Sequence, residues 1–179
     1  MNFWYSNGRA IDSISADDRA AHRDGVRARI CNTRLALQPQ LAGIKTLNRL
    51  EQVLARAEWD HPAIFEGLMR DTGDRLICGT MSNVFIVSAQ AIATPAITRC
   101  GVTGIMRRHL LLFDNAGIHC DVRDIRASEL SAADEVFVAN SQFGVLPVMS
   151  CDGRKWPVGD ITRQAMMLAG QNDVTENIL

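Results

Sequence analysis

Lysine is almost missing from this chain of 179 residues. Seventeen of its nineteen basic residues are arginine, leaving Lys45 and Lys155 as the only side-chain amines. Chemistry that needs a primary amine therefore has two places to occur. Charge of one sign is lacking too: nineteen basic against twenty acidic residues leave a formal charge of −1, which argues against nucleic acid as the main partner. No apolar run is long enough to span a membrane, and Met1 to Arg19 lacks the charged-then-apolar order of a signal peptide. The five cysteines (Cys31, Cys78, Cys100, Cys120, Cys151) contain no C-x-x-C pair. They read as reduced thiols of a cytoplasmic protein, not as a disulfide frame or zinc site. The four histidines show no metal-binding spacing. G-x-G-x-x-G, GKS/T and G-x-S-x-G are all missing, which removes the dinucleotide, P-loop and serine-hydrolase readings.

What is present is globular. Hydrophobic residues make up 47% and charged residues 22% of the chain, and a chain of this size buries roughly 70% of its unfolded surface. A short strand at Asn2–Tyr5, a Ser6-Asn7-Gly8 turn and a return at Arg9–Ile11 suggest a hairpin. Strands are expected at Val26–Leu35, Ala63–Met69, Leu76–Cys78, Val84–Val87, Ala91–Thr94, Ile118–Val122, Glu135–Ala139 and Val145–Met149. Pro147 should place the last of these near an edge or bend. Asp71-Thr72-Gly73-Asp74 and Asp152-Gly153 are turns. One helix follows Lys45, with Leu47, Leu50, Leu54 and Ala57 on one face. A second runs from about Thr103, a candidate N-cap, to Ala116, with Met106, Leu110 and Phe113 as its apolar stripe and Gly117 as its stop. A short helical turn is expected at Ser128–Ala133 and a last helix at Asp160–Ala169. Strands and helices mix without strict alternation, so the fold class is α+β.

Four places could carry chemistry. Lys45, in LAGIKTLNRLEQVLAR, has few charges before it; loss of hydration there lowers an amine's pKa and frees it as a nucleophile. The alternative is an exposed lysine at a helix start. GVTGIMRR (Gly101 to Arg108) opens a helix with glycines at Gly101 and Gly104, so the amides of Ile105 and Met106 could hold a phosphate or simply belong to a capped helix. Asn140-Ser141 ends a strand, where a polar pair faces a ligand or makes a turn. Thr80-Met81-Ser82-Asn83 is a similar polar loop. Cys78 and Cys100 read as small buried residues.

Together LAGIKTLNRLEQVLARAEW, GTMSNVF, RCGVTGIMRR and VANSQFGVLPV resemble aminodeoxychorismate lyase, in order, from about Val26 to Met149. The resemblance implies the mixed-sheet, cofactor-binding domain of the fold type IV pyridoxal-phosphate enzymes, which include branched-chain and D-amino acid aminotransferases. The helix after the lysine looks more like the lyase than the aminotransferases. By this resemblance Lys45 is the Schiff-base lysine and proton shuttle for pyridoxal 5'-phosphate. Ile105 and Met106, opened by Gly104, hold its phosphate with Ser141 and Asn140 assisting. The implied reaction releases pyruvate and 4-aminobenzoate from 4-amino-4-deoxychorismate in folate synthesis, in a cytoplasmic homodimer.

The chain departs from that pattern twice. Where the family has a glutamate paired with the pyridinium nitrogen, LICGTMSN has Cys78. Losing a charge-assisted hydrogen bond of about 1.5–3 kcal/mol costs ten- to a hundredfold if all of it is expressed in the transition state; a thiolate would restore part of it. In addition, FWYSNGRAIDSISADDRAAHRDG passes at once into VRARICNTRLALQPQLAGIK, so most of a small N-terminal domain is missing between Gly25 and Val26. Residues 1–25 are then its remnant and 26–179 the large domain, with an apolar inner face for a dimer partner to cover. The contrasting readings are a non-catalytic remnant or module of the same fold, and an aminotransferase.

Overall fold

The computed structural model describes residues 4–6, 9–11, 22, 24–112 and 119–170. The polar segment 12–21, Phe113, Gly117 and the tail after 170 lie outside that set. Strands β1 (Trp4–Ser6) and β2 (Arg9–Ile11) form the expected antiparallel hairpin, Trp4 opposite Ile11.

The main sheet contains β3 (Val26–Leu35), β4 (Glu66–Asp71), β5 (Arg75–Gly79), β6 (Asn83–Ser88), β7 (Ala91–Pro95), β8 (Cys120–Arg123), β9 (Ile125–Arg126), β10 (Glu135–Asn140), β11 (Gly144–Cys151) and β12 (Arg154–Lys155). Its spatial order is β8-β7-β6-β10-β11-β3-β4-β5-β9, with β12 on β11. The pairs β7–β8, β11–β3 and β3–β4 are parallel and the rest antiparallel. The fold is α+β with a mixed sheet. Four strands separate β5 from β6 in that order, yet residues 80–82 alone connect them. A stretch that short spans only about 10 Å, so the sheet must curl until β5 meets β6. The Gly79 N–H closes the join on the Ser82 carbonyl at 2.8 Å.

The period-two alternation of β6 and β10 serves both faces of the curl. Val84, Ile86, Val136 and Val138 point into a cluster with Val26, Leu68, Leu76, Leu146 and Trp156, gathered from both halves of the sheet. Phe85, Val87, Phe137 and Ala139 point the other way. There Phe85 and Phe137, register partners, stack with ring centroids 4.7 Å apart. Helices α2 (Ile105–Leu111) and α3 (Asp160–Gly170) close this face with Leu110, Ile161, Ala165 and Ala169. Helix α1 (Leu50–Arg56) covers a third cluster, in which Ala55 meets Cys31, Leu35, Met69, Ile77, Cys78 and Cys100.

Four local expectations change. Pro147 lies inside the sheet, opposite Phe137 on β10, while β3 joins the other flank of β11 only from Val148 onward. That flank has no ladder partner at Pro147, so a missing N–H is tolerated. Strand β4 begins at Glu66, not Ala63, because 61–65 is a turn: the His61 ring accepts the Ala63 N–H, and the Trp59 indole donates to the Ile64 carbonyl. The N-cap of α2 is Gly104, with no side-chain cap, in place of Thr103. Leu47, Leu50 and Leu54 face outward, Leu47 fully exposed. The side chains that α1 buries are Gln52 and Ala55, Ala55 being small enough to bring the helix close to β3 and β4.

Candidate active site

Lys45 sits in the loop between β3 and α1. Two backbone bonds stitch this loop to the segment before α2: Gly43 N–H to the Gly101 carbonyl at 3.0 Å, and Thr103 N–H to the Gly43 carbonyl at 3.1 Å. A third, Gln38 N–H to Arg99 carbonyl, anchors the start of the loop. Segments about sixty residues apart in sequence are thus held side by side. Lys45 lines one cavity of about 180 Å³ with Cys78, Gly104, Ile105, Asn140 and Ser141. Met106 lies outside it, in an adjoining cavity that shares Ser141. Lys45 is an exposed residue, the alternative that its place ahead of a helix had left open, and it lines the cavity.

The start of α2 carries free donors. Gly104 N–H bonds the Asn83 side-chain oxygen at 3.1 Å, and the Asn83 amide donates to the Val102 carbonyl at 2.8 Å. The N–H groups of Ile105, Met106 and Arg107 are those that no helix satisfies from within, and no side chain caps them. A side chain at Gly104 would collide with Asn83, so glycine is required for this approach.

Gly79, Met81, Ser82 and Asn83 form another part of the cavity wall, and Asn140 ties it to the end of β10. Its amide donates to the Met81 carbonyl at 3.2 Å, while its oxygen accepts the Gln142 and Phe143 N–H groups at 2.9 Å. Asn140 is therefore spent on the wall, whereas Ser141 is exposed and free to face a ligand.

Cys78 closes the inner end of the cavity, buried. Burial pushes its pKa up to about 12, against the pull of the Arg49 guanidinium. At that value the thiol is neutral at physiological pH. Arg49 lines the same cavity, and burial lowers its own pKa. Among the described residues, two cations and no carboxylate line the cavity, a composition that suits an anionic ligand.

Arg49 and Glu66 were not singled out from the sequence. Arg49, the residue just before α1, falls four residues after Lys45. Asn83 belongs to the polar loop before β6. Glu66, the one charge in AIFEGLM, had the clearest signal, since a carboxylate in an apolar strand must find partners.

The amino-transferase class IV profile matches residues 9–151. The chain belongs to the class IV aminotransferase family. It is 38% identical over 157 residues to an aminodeoxychorismate lyase of Vibrio harveyi, an alignment covering 85% of this chain and 58% of that protein. It is 30% identical over 146 residues to a putative branched-chain-amino-acid aminotransferase of Methanocaldococcus jannaschii, covering 79% and 51%. Among solved structures, the 4-amino-4-deoxychorismate lyase of Pseudomonas aeruginosa superposes with a TM-score of 0.81 at 42% identity, over 95% of this chain and 61% of that one. The chain thus spans between half and about three-fifths of the length of these relatives. A branched-chain aminotransferase from Thermoproteus uzoniensis shares the fold, with a TM-score of 0.78 at 24% identity.

This family uses pyridoxal 5'-phosphate, and the cavity's chemistry fits it. An amine for the aldehyde lines it, uncapped backbone N–H groups at the start of α2 suit a phosphate, and no carboxylate repels one. Cys78 contributes a thiol to the lining.

Proposed function

We propose that this chain is a shortened relative of 4-amino-4-deoxychorismate lyase that binds pyridoxal 5'-phosphate and turns substrate over weakly. The observation carrying this reading is that Lys45 and the uncapped start of α2 share one cavity, joined by the Gly43–Gly101–Thr103 backbone bonds. Lys45 would capture the cofactor's aldehyde and later move the proton at the substrate's α-carbon. Ile105 and Met106 would hold the phosphate through their N–H groups, with Ser141 donating its hydroxyl. Arg49 would add positive charge at the inner end. When bound, the cofactor supplies an electron sink for the carbanion character that develops at that carbon. The reaction would release pyruvate and 4-aminobenzoate, a step of folate synthesis.

Two features support weak turnover. A neutral thiol at Cys78 cannot keep a ring nitrogen protonated. Residues 1–25 are read as a remnant of a small domain and 26–179 as the large one, so the cleft lacks a wall and water reaches the reacting centre. A second reading, a cofactor-binding protein without turnover, is favoured by the same thiol and by the exposure of Lys45. An aminotransferase is disfavoured by the helix after Lys45.

The protein is further proposed to be a cytoplasmic homodimer. Leu37, Leu41, Ile44, Leu47, Leu50 and Leu54 form an exposed apolar face on one stretch of chain, more than a soluble monomer usually leaves uncovered. All five thiols are free, as a reducing compartment allows.

The test is a titration with pyridoxal 5'-phosphate. A near-visible band should form, borohydride should remove it, and Lys45→Ala should never show it. Appearance of pyruvate and 4-aminobenzoate then separates the lyase from the binding-only reading. No band in the unaltered protein would end both.

A further inference from the structure

One buried residue bears on the cavity without lining it. Glu66 lies on β4 with 0% of its surface exposed, and among the described residues no ion pair reaches it. Its Oε1 accepts the Gly67 N–H at 2.8 Å, the Thr80 N–H at 2.9 Å and the Thr80 hydroxyl at 2.6 Å. Its Oε2 accepts the Ser82 hydroxyl at 2.6 Å and, more distantly, the Met81 N–H at 3.4 Å. Backbone N–H groups thus point at both oxygens, so both act as acceptors. A fully buried carboxyl group that takes this many donors from one turn fixes that turn, because each donor that drifts leaves a buried polar atom unpaired.

Met81 and Ser82 of this turn line the cavity that Lys45 also lines. The turn's grip continues outward. Asn83, the next residue, holds the Gly104 N–H and the Val102 carbonyl at the start of α2, and the Met81 carbonyl is held by Asn140. Gly79 shows how tight the fit is: a side chain there would collide with both Glu66 and Ser82.

We infer that Glu66 is the positioning residue of the cofactor cavity: through Thr80 and Ser82 it sets Asn83, and through Asn83 the Gly104 amide at the start of α2. The relevance to pyridoxal 5'-phosphate rests on the function proposed above, while the positioning itself does not. Glutamine in place of Glu66 is nearly isosteric but wrong in chemistry. Its NH₂ must face either the Met81 N–H or the pair from Gly67 and Thr80, and only the hydroxyls can swivel to accept it.

The experiment uses the full chain, unaltered and as Glu66→Gln, with two readouts. Amide hydrogen exchange of the protein without cofactor should show Thr80, Met81 and Gly104 exchanging about tenfold faster or more in the variant. Val84 and Val138, in the sheet core, should keep their rates. Titration with pyridoxal 5'-phosphate should show affinity lowered about tenfold. Combining Glu66→Gln with Asn83→Ala should lower it little further than either change alone, because both act on one chain of bonds. Ser82→Ala, a gentler change, should move Gly104 exchange in the same direction if Glu66→Gln does not fold.

An unchanged Gly104 rate in whichever variant folds overturns the inference, as does a uniform rise across the sheet, the mark of general destabilisation. Faster exchange at Gly104 with unaltered cofactor affinity also overturns it. Should the unaltered protein take up no pyridoxal 5'-phosphate, the proposed function fails, and the exchange pattern still decides whether Glu66 sets the wall.

Discussion

Cys78 and Glu58 show how far single side chains can be argued from their surroundings. Cys78 is held neutral by burial, with its pKa pushed up to about 12, so it should resist alkylation in the folded protein and react only after denaturation; rapid labelling at neutral pH would contradict this. Cys78→Glu restores a carboxylate beside Arg49, and about tenfold tighter cofactor binding is expected from one charge-assisted hydrogen bond. Unaltered affinity and spectrum would mean that position 78 does not face the ring. For Glu58, burial alone would raise the carboxyl pKa, but hydrogen bonds from the Asn32 and Thr33 N–H groups, with Arg29 beside it, bring it below the ordinary value. A lowered folded-state pKa gives stability above the ordinary glutamate range that is lost as pH falls through that range and below. Glu58→Gln should therefore lower the melting temperature at pH 7 and make little difference near pH 3. Most residues of the site were legible in the sequence because amine, glycine and turn chemistry are local. Glu66 and Arg49 were not, since what they do depends on strands and loops brought together by the curl.

Among the elements, β6 and β10 send side chains into two core clusters. Phe137→Ala should cost about 3–5 kcal/mol, read as a lowered denaturation midpoint, because the ring is buried and stacked on Phe85. A loss under 1 kcal/mol would mean that the stacked pair does not hold the sheet to α2 and α3. The expected strand at Val26–Leu35 coincides with β3 and that at Glu135–Ala139 with β10 less one residue, because period-two alternation and flanking turn residues mark such strands unambiguously. Pro147 misled for a nonlocal reason: its tolerance depends on where β3 begins, which no feature of β11 records. The leucines of α1 misled similarly. Their spacing marks an apolar face, but spacing cannot say whether that face meets this chain's own core or another surface.

At the scale of the whole molecule, the leucines exposed from Leu37 to Leu54 are the basis on which a homodimer is proposed. Leu47→Glu with Leu50→Glu should convert a dimer to monomer in sedimentation while leaving far-ultraviolet circular dichroism intact; a monomer before substitution would remove the dimer from the account. The central claim, that Lys45 serves a cofactor cavity, has an unusually clean assay in a chain with two lysines. Reduction with borohydride after incubation with pyridoxal 5'-phosphate, followed by peptide mass mapping, should place the added mass on the peptide containing Lys45. Mass on Lys155 or the terminal amine with none at Lys45, or no added mass at all, would contradict it.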